Sequence, residues 1–235
     1  MDTRRRMKKT EMEARRGSYG AWRRDFCREY GAIASRICRE AYEGHKTYLD
    51  SLGTAITCRR GCAYCCSHYI SISLGHGLVI ADYLYAHPEA LEAFLGRYEK
   101  WRHATAGAPA LRTLEQYTTF SAVVRGTPQA LLDDYAGLGV PCPFLAGGAC
   151  SIYPVRPICC ASHFSISPPQ RCREGSPEQP LICEATPSPE GLRRLAALGE
   201  PALWLHQETM PSLVYRMLTE GLPEIMRQLG DMAGA

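Results

Sequence analysis

Four thiols fall within nine residues in the stretch Cys58-Arg-Arg-Gly-Cys62-Ala-Tyr-Cys65-Cys66. Thiolate sulfur is a soft donor that suits zinc and iron–sulfur clusters. Cys62-x-x-Cys65 is the spacing at which one turn presents two sulfurs to a single ion, and Gly61 allows the tight backbone path such a loop needs. Alone, a C-x-x-C would serve equally as a redox pair. Two further cysteines at this density favour metal.

A wider group follows: Cys142, Cys150, Cys159, Cys160 and Cys172. Cys142 lies between Pro141 and Pro143, Gly147-Gly148 turns the chain back toward Cys150, and Arg156-Pro157 leads into a second vicinal pair. Neither group is followed by the paired histidines of a zinc finger. Eight or nine thiols exceed the four that one tetrahedral zinc ion accepts. In an extended segment neighbouring side chains point to opposite sides. Cys65 and Cys66 are therefore expected to serve two ions, to split into a ligand and a supporting partner, or to bridge a polynuclear centre. At least two metal ions or a multi-iron cluster are expected.

Both vicinal pairs lead into similar text, CCSHYISIS at 65–73 and CCASHFSIS at 159–167. Aligning them needs a one-residue gap in each copy, so two short segments brought beside one metal centre explain the likeness better than an ancestral repeat. His68 and His163 follow the pairs closely. Each could ligate or hydrogen-bond a thiolate, although a partly exposed loop histidine is the plainer expectation. Cys27 and Cys38, eleven residues apart, share a helix face and read as small buried hydrophobes. Arg59 and Arg60 could offset thiolate charge or simply be solvated. Arg156 is expected to hold its loop by hydrogen bonds to carbonyls, and Tyr153 to pack. Gly75-x-Gly77 is no dinucleotide fingerprint, because the third glycine is missing. No Walker motif, nucleophile elbow or His-Glu-x-x-His occurs.

These residues resemble a known family, the YkgJ-type cysteine-cluster proteins with a zinc- or iron-chelating CxxCxxCC domain. The resemblance rests on Cys58-x-x-Gly61-Cys62-x-x-Cys65-Cys66, Cys142-Pro143-Phe144-Leu145, Cys150-x-Ile152-Tyr153-x-x-Arg156-Pro157-x-x-Cys160 and Cys172. It covers about residues 55 to 175. It implies eight ligand-type cysteines: Cys58, Cys62, Cys65, Cys66, Cys142, Cys150, Cys160 and Cys172. Cys159 stands where the family usually has an aliphatic residue, and Cys27, Cys38 and Cys183 lie outside the pattern. A relative of the family, the flagellin lysine N-methylase type, combines a similar motif with methyl transfer from S-adenosylmethionine. This chain shows no glycine-rich cofactor loop to carry that activity over.

The elements that must position the thiols are mostly helical. Trp22, Phe26, Tyr30, Ile33, Ile37 and Ala41 recur at helical steps between about Ser18 and Leu49. Tyr69 to Ile72 alternates like a short strand. A helix is expected over Leu74 to Ala86, another from Pro88 with Leu91, Phe94, Leu95, Tyr98 and Trp101 as its stripe, and a mostly helical stretch over 119–137. Residues 103–118 are weakly patterned. Pro141 to Cys183 has no long periodic segment and is expected to need a constraint such as a metal. A helix restarts at Ser188-Pro189-Glu190, another carries Met210, Leu213, Val214, Met217 and Leu218 to a stop at Gly221, and a last one starts at Pro223. The expected class is mainly α, with irregular, cysteine-rich, metal-stabilised loops and at most short strands.

The 235 residues suit a basic flexible tail at 1–18 and a single metal-binding domain at 19–235. Residues 1–24 hold nine Lys or Arg and three acids, an excess of six positive charges in a chain of net charge +3. That arm reads as solvated tail, since its aromatic residues do not interleave with the charges as a stacking surface would require. Twelve cysteines are too few for a disulfide-stapled fold and too many for an ordinary core. No apolar run long enough for a membrane span or an export signal is seen, so a reducing, cytoplasmic setting is expected. The leading expectation is a metal-binding protein holding zinc ions or an iron–sulfur cluster. The alternative is a metal-dependent redox or modifying enzyme with an open cluster position. A nucleic-acid module using the basic arm ranks below both.

Overall fold

The computed structural model describes residues 21–117, 128–173 and 175–233. The expected basic tail and the first part of the 119–137 stretch lie outside the described residues. In chain order the elements are α1 (Ala21–Ser51), a 3-10 turn (Tyr64–Ser67), β1 (Ser71–Ser73), α2 (Leu74–Ala86), α3 (Pro88–Thr105), α4 (Pro109–Tyr117) and α5 (Gln129–Ala136). Then come β2 (Leu145–Ala146), β3 (Ala149–Cys150), a 3-10 turn (Tyr153–Val155), α6 (Ile158–Ser162), β4 (His163–Ser165), a 3-10 turn (Pro169–Cys172) and β5 (Ile182–Glu184). The chain ends with α7 (Pro189–Ala196), α8 (Ala202–Leu205), β6 (Gln207–Thr209), α9 (Met210–Thr219) and α10 (Leu222–Ala233). The class is mainly α with short strand pairs: β1–β6, β2–β3 and β4–β5, all antiparallel.

Helix α2 is the centre of the core. Ser73 caps it, its hydroxyl accepting from His76 N. Leu74, Leu78, Ile80 and Leu84 are fully buried, as expected of a helix that is apolar all round. Leu213, Val214, Met217 and Leu218 of α9 close over it. Gly77 makes that approach possible, because a Cβ there would lie 3.0 Å from Leu213. The Gly75-x-Gly77 spacing thus serves packing. Helix α1 crosses α2 through Phe26, Tyr30 and Ile37, and α7 seats against Ile37 at Gly191, where a Cβ would come within 2.6 Å. α3 begins on Pro88, as its sequence predicts, and buries Leu91, Phe94, Tyr98 and Trp101.

A second, smaller cluster of Leu49, Phe164 and Ala185 lies under β4–β5. Cys58 and Cys183 pack against it, whereas Cys142 and Cys150 pack against the main core. The cysteine segments therefore connect two apolar clusters. Among the described residues no helix is long and apolar enough to cross a membrane.

Candidate metal centre

The first cysteine segment leaves α1 at Gly53 and is fastened to β4. Thr57 N–H donates to Ser165 O at 2.9 Å, and Thr57 Oγ1 donates to the carbonyls of Ser165 and Ser167. Cys58 Sγ accepts from Ser165 N at 3.0 Å. Gly61 takes φ 90°, open to glycine, so Cys62 N–H reaches back to Arg59 O. The Tyr64–Ser67 turn then presents Cys65 and Cys66 and packs against the Pro169–Cys172 turn.

The second segment is pinned to the core by its apolar residues. Phe144 stacks on Phe94 with ring centroids 4.4 Å apart, and Ile152 is buried. Between them β2 and β3 form a hairpin whose two turn residues, Gly147 and Gly148, both have positive φ, as a tight hairpin turn demands. This places Cys142 and Cys150 close together, and Cys142 N–H donates to Cys66 O at 2.7 Å. One backbone bond thus joins the two cysteine segments directly.

Cys58, Cys62, Cys65 and Cys172 line a cavity of about 60 Å³, with His68 and His163 on its wall. The other four sulfurs are coupled electrostatically. The Cys66 thiol is pushed up, first by its hydrogen bond to Cys65, then by burial, then by the charges of Cys65, Cys142 and Cys150. Cys65 is correspondingly pulled down by the Cys66 hydrogen bond, against burial and with help from His163 and Arg156. Burial pushes Cys142 up to about 12. It also raises Cys150 and Cys58, with the Ile152 and Ser165 N–H groups opposing. Cys160 is raised chiefly by its hydrogen bond to Cys159. The Cys65 charge bears on Cys58, Cys66, Cys142, Cys150 and Cys160 alike, so Cys65 adjoins both groups.

The donor chemistry fits a thiophilic metal: soft sulfurs in two linked segments, a backbone N–H on Cys58, and a buried histidine nitrogen facing no partner. Among the described residues, however, no three His, Cys, Asp or Glu donors stand close enough to hold one ion. The segments are tied together while their donors do not converge on a point.

Several positions differ from the sequence reading. Both vicinal pairs sit in helical turns, Cys65-Cys66 in a 3-10 turn and Cys159-Cys160 in α6. Neighbouring side chains there diverge by roughly 100–120° rather than pointing opposite ways. The similar Ser-Ile-Ser tails enter different pairings, β1 with β6 and β4 with β5. Arg156 lies over the Tyr153 ring, 4.2 Å from its centroid, in a stacking contact where bonds to carbonyls were expected. Tyr153 itself is exposed. Cys27 is buried, its thiol directed at Leu78 O, whereas Cys38 is only half-buried. The sequence did not disclose Thr57, Ser165 and Glu184, because their partners lie far away in the chain. The alternation over Tyr69 to Ile72 points to a strand without naming its neighbour, and Pro141 to Cys183 carries no such signal for β4.

Comparison with protein families gives a match over residues 57–194 to the CxxCxxCC family, described as "Putative zinc- or iron-chelating domain". The chain belongs to this family. The matched stretch holds both cysteine segments and ends within α7. Family membership and the twelve cysteines together support a metal-binding role. No curated protein and no solved structure matches the chain.

Proposed function

We propose that this CxxCxxCC protein binds zinc or iron through two sets of four cysteines. Cys58, Cys62, Cys65 and Cys172 form one set, and Cys66, Cys142, Cys150 and Cys160 form the other. Residues 19–235 act as one metal-binding unit whose centre lies between about 55 and 175. The observation that carries the reading is the Cys142 N–H to Cys66 O bond beside the cysteine-lined cavity. It ties together two segments distant in sequence, next to a cavity that four cysteines line.

When bound, the metal supplies cross-links between these segments, as zinc or as an iron–sulfur cluster. The chain's own residues do the rest. Ser165 N–H stabilises charge on Cys58, and before metal enters the Cys66 thiol donates to Cys65 and favours its thiolate form. The raised thiols of Cys66, Cys142, Cys150 and Cys160 must release protons on binding, so affinity rises with pH. The eight cysteines would hold the metal, and their donors would have to approach one another to do so.

One substitution in each set tests the assignment. Cys62→Ser and Cys150→Ser should each lower bound metal and soluble yield, while Cys38→Ser should leave metal content nearly unchanged. Elemental analysis of the purified variants is the readout. A Cys62→Ser or Cys150→Ser protein that stays folded and fully metallated contradicts the set it belongs to.

A further inference from the structure

We infer that His163 is a nitrogen donor to the metal held by the first cysteine set. The inference rests on the metal-binding reading above and adds a ligand that the cysteine motif does not contain. His163 Nε2 is buried and, among the described residues, has no hydrogen-bond partner. A buried ring nitrogen left unpaired is costly, so a fold that keeps one calls for a ligand. The same ring lines the cavity formed by Cys58, Cys62, Cys65 and Cys172.

The opposite side of the ring is already occupied. Nδ1 faces Glu184 Oε1 at 3.4 Å. This contact is built into the sheet, because His163 and Glu184 are directly paired across β4–β5. A carboxylate only accepts, so Nδ1 carries the proton, and in the neutral ring Nε2 is left with its lone pair. A histidine whose outer nitrogen donates to a carboxylate while its inner nitrogen is free is the arrangement that orients imidazole toward a metal. His68 meets the His163 ring edge-on at a centroid distance of 5.6 Å and limits its rotation.

With His163 the cavity offers five donors, one more than a tetrahedral ion takes. A mixed nitrogen–sulfur centre differs from an all-sulfur one in its ligand-field spectrum, and this makes the inference measurable.

The test is titration of cobalt(II) into the full chain, prepared metal-free without oxygen, for wild type, His163→Ala and Glu184→Gln. Wild type should show thiolate-to-cobalt charge-transfer absorption together with ligand-field bands of a mixed nitrogen–sulfur site. His163→Ala should keep the charge-transfer absorption, shift the ligand-field bands and weaken cobalt binding. Glu184→Gln changes a side chain that is 78% exposed and should preserve the fold. It should leave the bands in place and weaken binding by about 10- to 100-fold. If His163→Ala is insoluble, Glu184→Gln alone decides, because unchanged affinity in that variant overturns the inference. Wild-type charge transfer with identical bands and affinity in His163→Ala overturns the nitrogen ligand and leaves the cysteine sets standing. No charge transfer in wild type overturns the metal reading and the inference with it.

Discussion

His76 illustrates how the fold treats a titratable side chain that no motif announced. Its Nε2–H donates to Val155 O at 3.2 Å, and Nδ1 accepts from Tyr30 OH at 2.9 Å. Burial pushes it down to about 4, with the Val155 carbonyl opposing. The folded state therefore prefers the neutral ring. The associated stability is present above about 6.5, the ordinary histidine value, and is lost as pH falls toward 4. Thermal unfolding of wild type followed from pH 7 to pH 4 should fall more steeply than that of His76→Gln. Parallel curves would mean that this ring does not set the acid limb. The cysteines were legible as residues, since type and spacing suffice to mark thiolate ligands. Their partners were not: Ser165 N–H reaches Cys58 across 107 positions, and nothing local in the sequence encodes such a meeting.

Elements follow the same division. Helices with a long apolar period or a proline start were readable. α2 runs over the expected Leu74–Ala86, and α7 opens on Ser188, whose hydroxyl accepts from Gly191 N. The pieces that the sequence missed are short. α4, with buried Leu111 and Leu114, fills part of the weakly patterned 103–118 stretch. β6 is three residues long and exists only through its pairing with β1. The helical turns that carry the vicinal cysteines escape the sequence, because four or five residues hold too little pattern to detect. At this scale the Phe144–Phe94 stack is the largest apolar anchor of the β2–β3 hairpin, with buried Ile152 beside it. Phe144→Ala should cost about 3–5 kcal/mol and loosen Cys142 and Cys150. A lower melting temperature with faster loss of metal to a chelator is expected. An unchanged melting temperature would show that the hairpin is held otherwise.

Across the whole molecule, the cysteine segments stand between the main core around α2 and α9 and the small cluster of Leu49, Phe164 and Ala185. Three buried residues, with Ala41, Ile56 and Ile166 packed against them, make too small a cluster to be stable by itself. The sequence reading points the same way, since Pro141 to Cys183 lacks a periodic apolar face of its own. In this account metal ligands on both sides fasten the small cluster to the large one. Stripping metal should therefore speed hydrogen exchange in β4 and β5 well before α2 and α9, which keep their own packing. Equal protection in both regions after chelation would separate metal from fold.

The most direct test of the central claim is elemental analysis with an absorption spectrum on the chain purified without oxygen. The account predicts stoichiometric metal: about two zinc ions in a colourless protein, or iron with sulfide in a brown one. A folded, soluble chain carrying neither zinc nor iron would contradict it.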